Sequence, residues 1–205
     1  MHSIIDRILE GFPFPTIAPI IGPLNYKTIS ELHMKLNSNA ASIQYNLGDG
    51  ALGLLYLTVS PTVYTTLSTA PYVRPVNPGS KPIVSDVSTS PVIVDLRYAF
   101  KLANDIFTEY YQTNKSLRKI LLASVDKIYV RSLRHRYIGY GQTTTRQLLD
   151  HTYAVYAYIS PAGLQLNDAK LRTPYNANHP IKTLIDQVET AVKYAAAVNT
   201  PYSSE

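Results

Sequence analysis

Apolar positions in the second half of the chain recur at helical intervals. Leu96, Ala99, Phe100, Ala103, Ile106, Phe107 and Tyr110 fall at i, i+3, i+4, i+7, i+10, i+11 and i+14, one stripe of a helix of four or more turns. Asn114 is placed to cap a second helix, in which Leu117, Leu121, Val125 and Ile128 share a face and which ends near His135, before Gly139 and Gly141. Thr143 to Ile159 reads as a third helix with Leu149, Tyr153 and Tyr156 aligned. Ser160-Pro161, an N-cap followed by proline, opens a fourth that runs to about Arg172. After Pro174 and Pro180 a fifth carries Ile181, Leu184, Ile185, Val188 and Val192. Five helices joined by short turns describe a compact all-α unit over 92–205.

The first half is less regular. Ser3 to Glu10 predicts a short helix, and residues 1–25 otherwise form an arm in which Pro13, Pro15, Pro19 and Pro23 forbid regular structure. Such an arm offers aromatics and prolines for contacts between subunits. Thr28 and Glu31 have capping-box spacing before a helix from about Ile29 to Ala41, with Ile29, Leu32 and Leu36 on one face. The apolar run Leu54 to Val59 fits strand or helix equally by periodicity. Ser60-Pro61 then opens a short helix through Leu67. Five prolines between residues 70 and 91 mark an irregular linker, so 26–91 reads as a smaller lobe that ends in this linker.

At 205 residues the chain can bury roughly 70% of the surface it exposes unfolded, enough for one sizeable core or two small ones. Hydrophobic residues at 45% and charged residues at 16% are a folding composition, unlike that of disordered chains. With no cysteine, disulfides, thiolate zinc sites and thiol nucleophiles are excluded, which fits a reducing compartment. A charged N-terminus and the lack of any run of ~20 apolar residues predict a cytoplasmic protein without a membrane segment. The net charge of +5 is concentrated. Between Lys115 and Arg146 eight basic residues face only Asp126, giving +7 and leaving about −2 for the remainder. Lys127, Arg131 and Arg134, at i, i+4 and i+7, predict a basic ridge, with Arg136 and several tyrosines nearby, suited to phosphate contact. The competing reading is a solvated helix face whose arginines pair with acidic neighbours. Seventeen tyrosines against four phenylalanines and no tryptophan supply apolar area with a polar tip, a composition that suits interfaces.

Candidate chemistry is sparse. Gly48-x-Gly50-x-x-Gly53 matches the dinucleotide fingerprint by letter, but it follows the tail of a helix, and no acidic residue stands about 20 positions on, where Thr69, Ala70 and Pro71 lie. A glycine-rich turn is the better reading. Histidines 2, 33, 135, 151 and 179 include no i, i+4 pair for chelation. His33 lies on the apolar face of its helix, as a hydrogen-bonded core histidine would. Neighbouring Asp150 and His151 point about 100° apart on a helix and form no dyad. No Ser-His-Asp set, nucleophile elbow, phosphate-binding Gly-Lys-Ser/Thr or aspartic-protease triplet is present. No enzyme activity, cofactor, metal or small-molecule substrate is expected.

Several segments together are similar to a known family. Leu148-Leu149-Asp150-His151-Thr152-Tyr153, Ile159-Ser160-Pro161, Asn167 to Asn176, His179-Pro180-Ile181 and Asp186-Gln187-Val188-Glu189 resemble the Gag-like proteins of copia-type retrotransposons. Leu36 to Ser42, Asn46 to Gly50, Val59-Ser60-Pro61 and Val73 to Gly79 look like the N-terminal half of such proteins. The resemblance spans most of the chain and rests on structural punctuation more than on chemistry. It implies a two-lobed helical capsid protein that self-associates into a virus-like shell around retrotransposon RNA. Self-association would then involve Tyr153, Tyr156, Leu184, Val188 and Val192, and RNA contact Lys127, Arg131, Arg134 and Arg136. No Cys-rich nucleocapsid segment accompanies it, so RNA would be held without zinc. A small basic RNA-binding module that builds no shell is the alternative.

Overall fold

The computed structural model describes residues 4–45, 50–82 and 90–199. Among these the regular structure is helical, and the only extended pairing is a single bridge between His135 and Gly139. Helix α1 (Ile4–Gly11) lies against the long helix described below, burying Ile8 and pairing Arg7 with Glu109 at 3.6 Å. The prolines keep residues 12–25 irregular, yet the arm is not free. Phe12 and Leu24 are buried, the Ile20 N–H donates to the Ser124 carbonyl (2.8 Å), and Asn39 grips Phe14. The Asn39 Oδ1 accepts from the Phe14 N–H (2.8 Å) and its Nδ2 donates to the Phe14 carbonyl (2.7 Å). An amide side chain thus reproduces a strand-like pairing for a segment that has no strand partner.

Helix α2 (Tyr26–Ser42) begins earlier than the Thr28–Glu31 spacing predicts. Asn25 is the cap: its Oδ1 accepts from the Thr28 N–H, while the Thr28 Oγ1 accepts from the Asn25 N–H (both 3.1 Å), so Thr28 is the third helical residue. The Leu54 to Val59 run forms neither a strand nor an α-helix but a 3₁₀ turn at Leu55–Leu57, followed by α3 (Pro61–Leu67), which the Ser60 hydroxyl caps as expected. Tyr45, Tyr56, Tyr64 and Tyr72 form a nest that pins the proline-rich stretch to the body. Tyr72 stacks on Tyr56 at 4.0 Å, and Tyr45 donates to the Val73 carbonyl, its phenol pushed up to about 12 by burial. Part of the tyrosine excess is therefore internal packing.

The largest departure from the periodicity is α4 (Ser90–Ser124), one helix of 35 residues, about 50 Å long, where two were expected. Asn114 does not break it. Its side chain serves a later helix instead, accepting from the N–H (3.2 Å) and hydroxyl (2.9 Å) of that helix's first residue, Thr145. After α4, Asp126 caps the four-residue α5 (Lys127–Val130), a 3₁₀ turn follows at Arg131–Leu133, and Ile128 is exposed rather than sharing the apolar face. Helix α6 (Thr145–Tyr156) has a Thr144–Gln147 capping box; α7 (Pro161–Leu171), capped by Ser160, and α8 (Ile181–Asn199) pack on each other.

One core joins both sides of the proline-rich stretch: Leu36 and Leu54 meet Leu117, Leu121, Val130, Leu148 and Leu149. Polar links tighten the same junction. His33 of α2 contacts the Thr58 carbonyl through Nε2 (3.0 Å) and the Tyr153 hydroxyl through Nδ1 (3.1 Å), and Arg146 donates to the Val59 carbonyl (2.8 Å) while pairing with Asp150 (3.2 Å). The pair α7–α8 reaches this body through Tyr194, edge-on to Tyr26 at 5.7 Å.

Candidate functional site

The basic cluster sits on a braced turn. The hairpin from His135 to Gly139 closes with two backbone bonds, 2.9 and 3.0 Å, and Gly139 takes the positive φ of +59° that the reversal needs. Its base is clamped by Arg118, which donates to the carbonyls of Gly141 (3.1 Å) and Thr143 (2.7 Å), and the Tyr140 hydroxyl donates to Val130 (3.2 Å). Lys127, Arg131, Arg134 and Arg136 are all exposed, and none has an ion pair among the described residues. Arg136 lies 5.5 Å over the ring of Tyr137, itself 80% exposed.

The predicted ridge is corrected in form. Helical i, i+4, i+7 alignment needs unbroken α-helix from 127 to 134, but α5 ends at Val130 and the chain tightens to 3₁₀, so the cations project from successive turns. Of the eight basic residues in this region, Arg118 and Arg146 are committed to holding the fold.

The residues expected at self-association contacts separate into two groups. Tyr153 bonds His33 and lies edge-on to Tyr26 at 6.3 Å, while Tyr156 packs on Tyr129 at 4.9 Å, so both are engaged within the chain. Leu184 is half-buried. Val188 and Val192 are exposed, and Ile181 and Ile185 extend them into an uncovered stripe on α8.

A second uncovered surface lies on the first four turns of α4. Val92, Leu96, Val94, Tyr98 and Leu102 are all exposed. At 100° per residue Val92 and Leu96 occupy one side and Val94, Tyr98 and Leu102 another, with the exposed Arg97 and Lys101 between them, so this half-helix presents two separate apolar strips. The predicted stripe from Leu96 to Tyr110 is buried only towards its C-terminal end, where Ile106 and Tyr110 reach the core.

One pairing that no sequence motif signals is Ser132 with His151, Oγ to Nε2 at 3.1 Å. A hydroxyl beside an imidazole is the start of a nucleophile–base pair. Here Nε2 also lies 3.2 Å from the Tyr129 carbonyl, which has no proton to give, so Nε2–H is the donor and cannot take the serine proton. Asp150 is occupied by Arg146 and does not orient the ring. The contact ties the 3₁₀ turn to α6.

The glycine-rich segment is a packing device where it is described. Gly53, at φ +51°, approaches the α2 backbone so closely that a Cβ would meet the Ile43 carbonyl oxygen at 2.4 Å and that of Ala41 at 2.5 Å, and the neighbouring Leu54 N–H donates to the Ala40 carbonyl. Gly48 lies outside the described residues. Among those described, no group of three or more His, Asp or Glu is placed to hold a metal ion, and no helix is long and apolar enough to cross a membrane. No family model, curated protein or solved structure matches the chain.

Proposed function

We propose that the chain is a structural subunit that assembles with copies of itself into a shell, in the manner of the Gag-like capsid proteins of copia-type retrotransposons that its sequence resembles. The observation that carries this reading is the set of exposed apolar side chains, Val92, Val94, Leu96, Tyr98 and Leu102, on the first half of α4. Exposed apolar strips of this kind mark contact surfaces, and a subunit that repeats many times supplies its own cover. In this reading the body up to residue 157 is one lobe and the α7–α8 pair the other. The chain needs no catalytic site, and the shell forms in the cytoplasm around RNA. Leu96→Glu with Tyr98→Glu, both exposed positions, is expected to abolish concentration-dependent growth of the light-scattering mass while leaving the far-UV circular dichroism unchanged. Persistence of that growth in the variant would refute the role given to α4.

The basic turn favours a second reading, a polyanion-binding module that builds no shell, because its four cations have no acidic partner among the described residues and stand beside an exposed tyrosine. That module would bind single-stranded RNA with steep salt dependence, and Arg131→Ala with Arg134→Ala would lower the log–log salt slope by about 1.4, at roughly 0.7 for each phosphate no longer neutralised. Salt-independent binding, or none, removes it.

A further inference from the structure

The exposed stripe of α8 is built to meet itself. Ile181, Ile185, Val188 and Val192 are 65%, 50%, 39% and 56% exposed and are spaced 4, 3 and 4 residues apart. That spacing reads the same in both directions, so an antiparallel second copy sets Ile181 against Val192 and Ile185 against Val188 around a two-fold axis between residues 186 and 187. The flanks of the stripe differ. One is occupied by α7, which reaches α8 through Asn167 Nδ2 to the Ala191 carbonyl (2.9 Å) and Gln187 Nε2 to the Lys170 carbonyl (2.6 Å). The other flank carries Lys182 and Glu189, about 90° and 70° from the stripe at 100° per residue. In an antiparallel two-fold pair like flanks face each other, which brings Lys182 of each copy to Glu189 of the other. A parallel two-fold pair would turn the Lys182 and Glu189 flank of each copy towards the other's α7-side flank, so Lys182 and Glu189 would not meet. Lys182 has no ion pair among the described residues, and the exposed Glu189–Lys193 pair at 3.3 Å leaves carboxylate oxygen for another cation.

We infer that α8 pairs with α8 of a second copy in this antiparallel register, and that the shell proposed above uses this contact; the inference rests on that reading. One helix per copy is a small interface, so association is weak and concentration-dependent unless other contacts join it.

The chain has no cysteine, so every disulfide seen after substitution is an introduced one. Full-length Ile181→Cys and Val192→Cys proteins are mixed and mildly oxidised. The antiparallel register predicts mixed dimers well above either homodimer, because residues 181 and 192 of one helix are about 16 Å apart, far beyond disulfide reach. Homodimers of Ile181→Cys equal to or above the mixed species, or no crosslink, would overturn the register. As a second measurement, Lys182→Glu alone should weaken association about tenfold, by turning two attractions into two repulsions, and Lys182→Glu with Glu189→Lys should restore most of it. Failure of the double variant to recover would equally overturn it. Particles that form without the crosslink would sink this contact and spare the assembly reading. Strict monomer behaviour would sink both.

Discussion

Asn39 is fully buried, and its amide makes both backbone bonds that hold the N-terminal arm at Phe14. Replacing it with alanine removes two hydrogen bonds worth about 1 kcal/mol each and leaves a partly buried N–H and C=O to be satisfied by water that reaches them poorly, for a total of about 2–4 kcal/mol. That is a large share of a stability on the order of 5–15 kcal/mol. With a urea dependence of about 2 kcal/mol per molar, the unfolding midpoint should fall by about 1–2 M. Asn39→Leu, which keeps the volume and loses the bonds, should lose a similar amount, separating hydrogen bonding from cavity formation. Hydrogen exchange at the Phe14 amide should accelerate in both. A midpoint within about 0.3 M of the parent, with Phe14 still protected, would refute the role given to Asn39 in holding the arm at Phe14.

Gly53→Ala should destabilise by at least about 2 kcal/mol, combining the left-handed backbone with a clash against carbonyl oxygens that cannot move aside; thermal denaturation checks it, and an unchanged midpoint would show that the close approach is not required. His33 is held below its ordinary value of 6.5, chiefly by burial, against the opposing pulls of the Thr58 carbonyl and Asp150. The unfolded chain therefore takes up a proton near pH 6.5 that the folded chain refuses, so stability is full above that value and falls as pH drops below it. Urea midpoints between pH 7.5 and 5 should show a smaller decline for His33→Gln than for the parent, and equal declines would remove His33 as the cause.

Local signals were legible where a cap or a proline sets the outcome. Ser60-Pro61 and Ser160-Pro161 open α3 and α7 as expected, the short first helix lies where it is expected, and the amphipathic last one is where periodicity puts it. The failures share a physical origin in tertiary structure. Asn114 has a side chain suited to capping, but in mid-helix it costs only a few tenths of a kcal/mol, and its bonds to Thr145 make it worth keeping inside α4. The proline-rich stretch ends regular structure without dividing the core, because α2 packs on α4 and α6, partners far away in sequence. Charge identified the basic region, but not which arginines were spent on carbonyls, since Arg118 and Arg131 read alike until Gly141 and Thr143 come into place. Tyr153 likewise has an internal partner, His33, that no spacing announces.

Whether copies of this chain cover one another's exposed apolar strips is decided by electron microscopy of the purified chain, concentrated and at raised salt. Assembly gives closed or sheet-like particles of repeating subunits, lost in the Leu96→Glu, Tyr98→Glu variant. Uniform monomers at every concentration and salt level would rule out self-assembly.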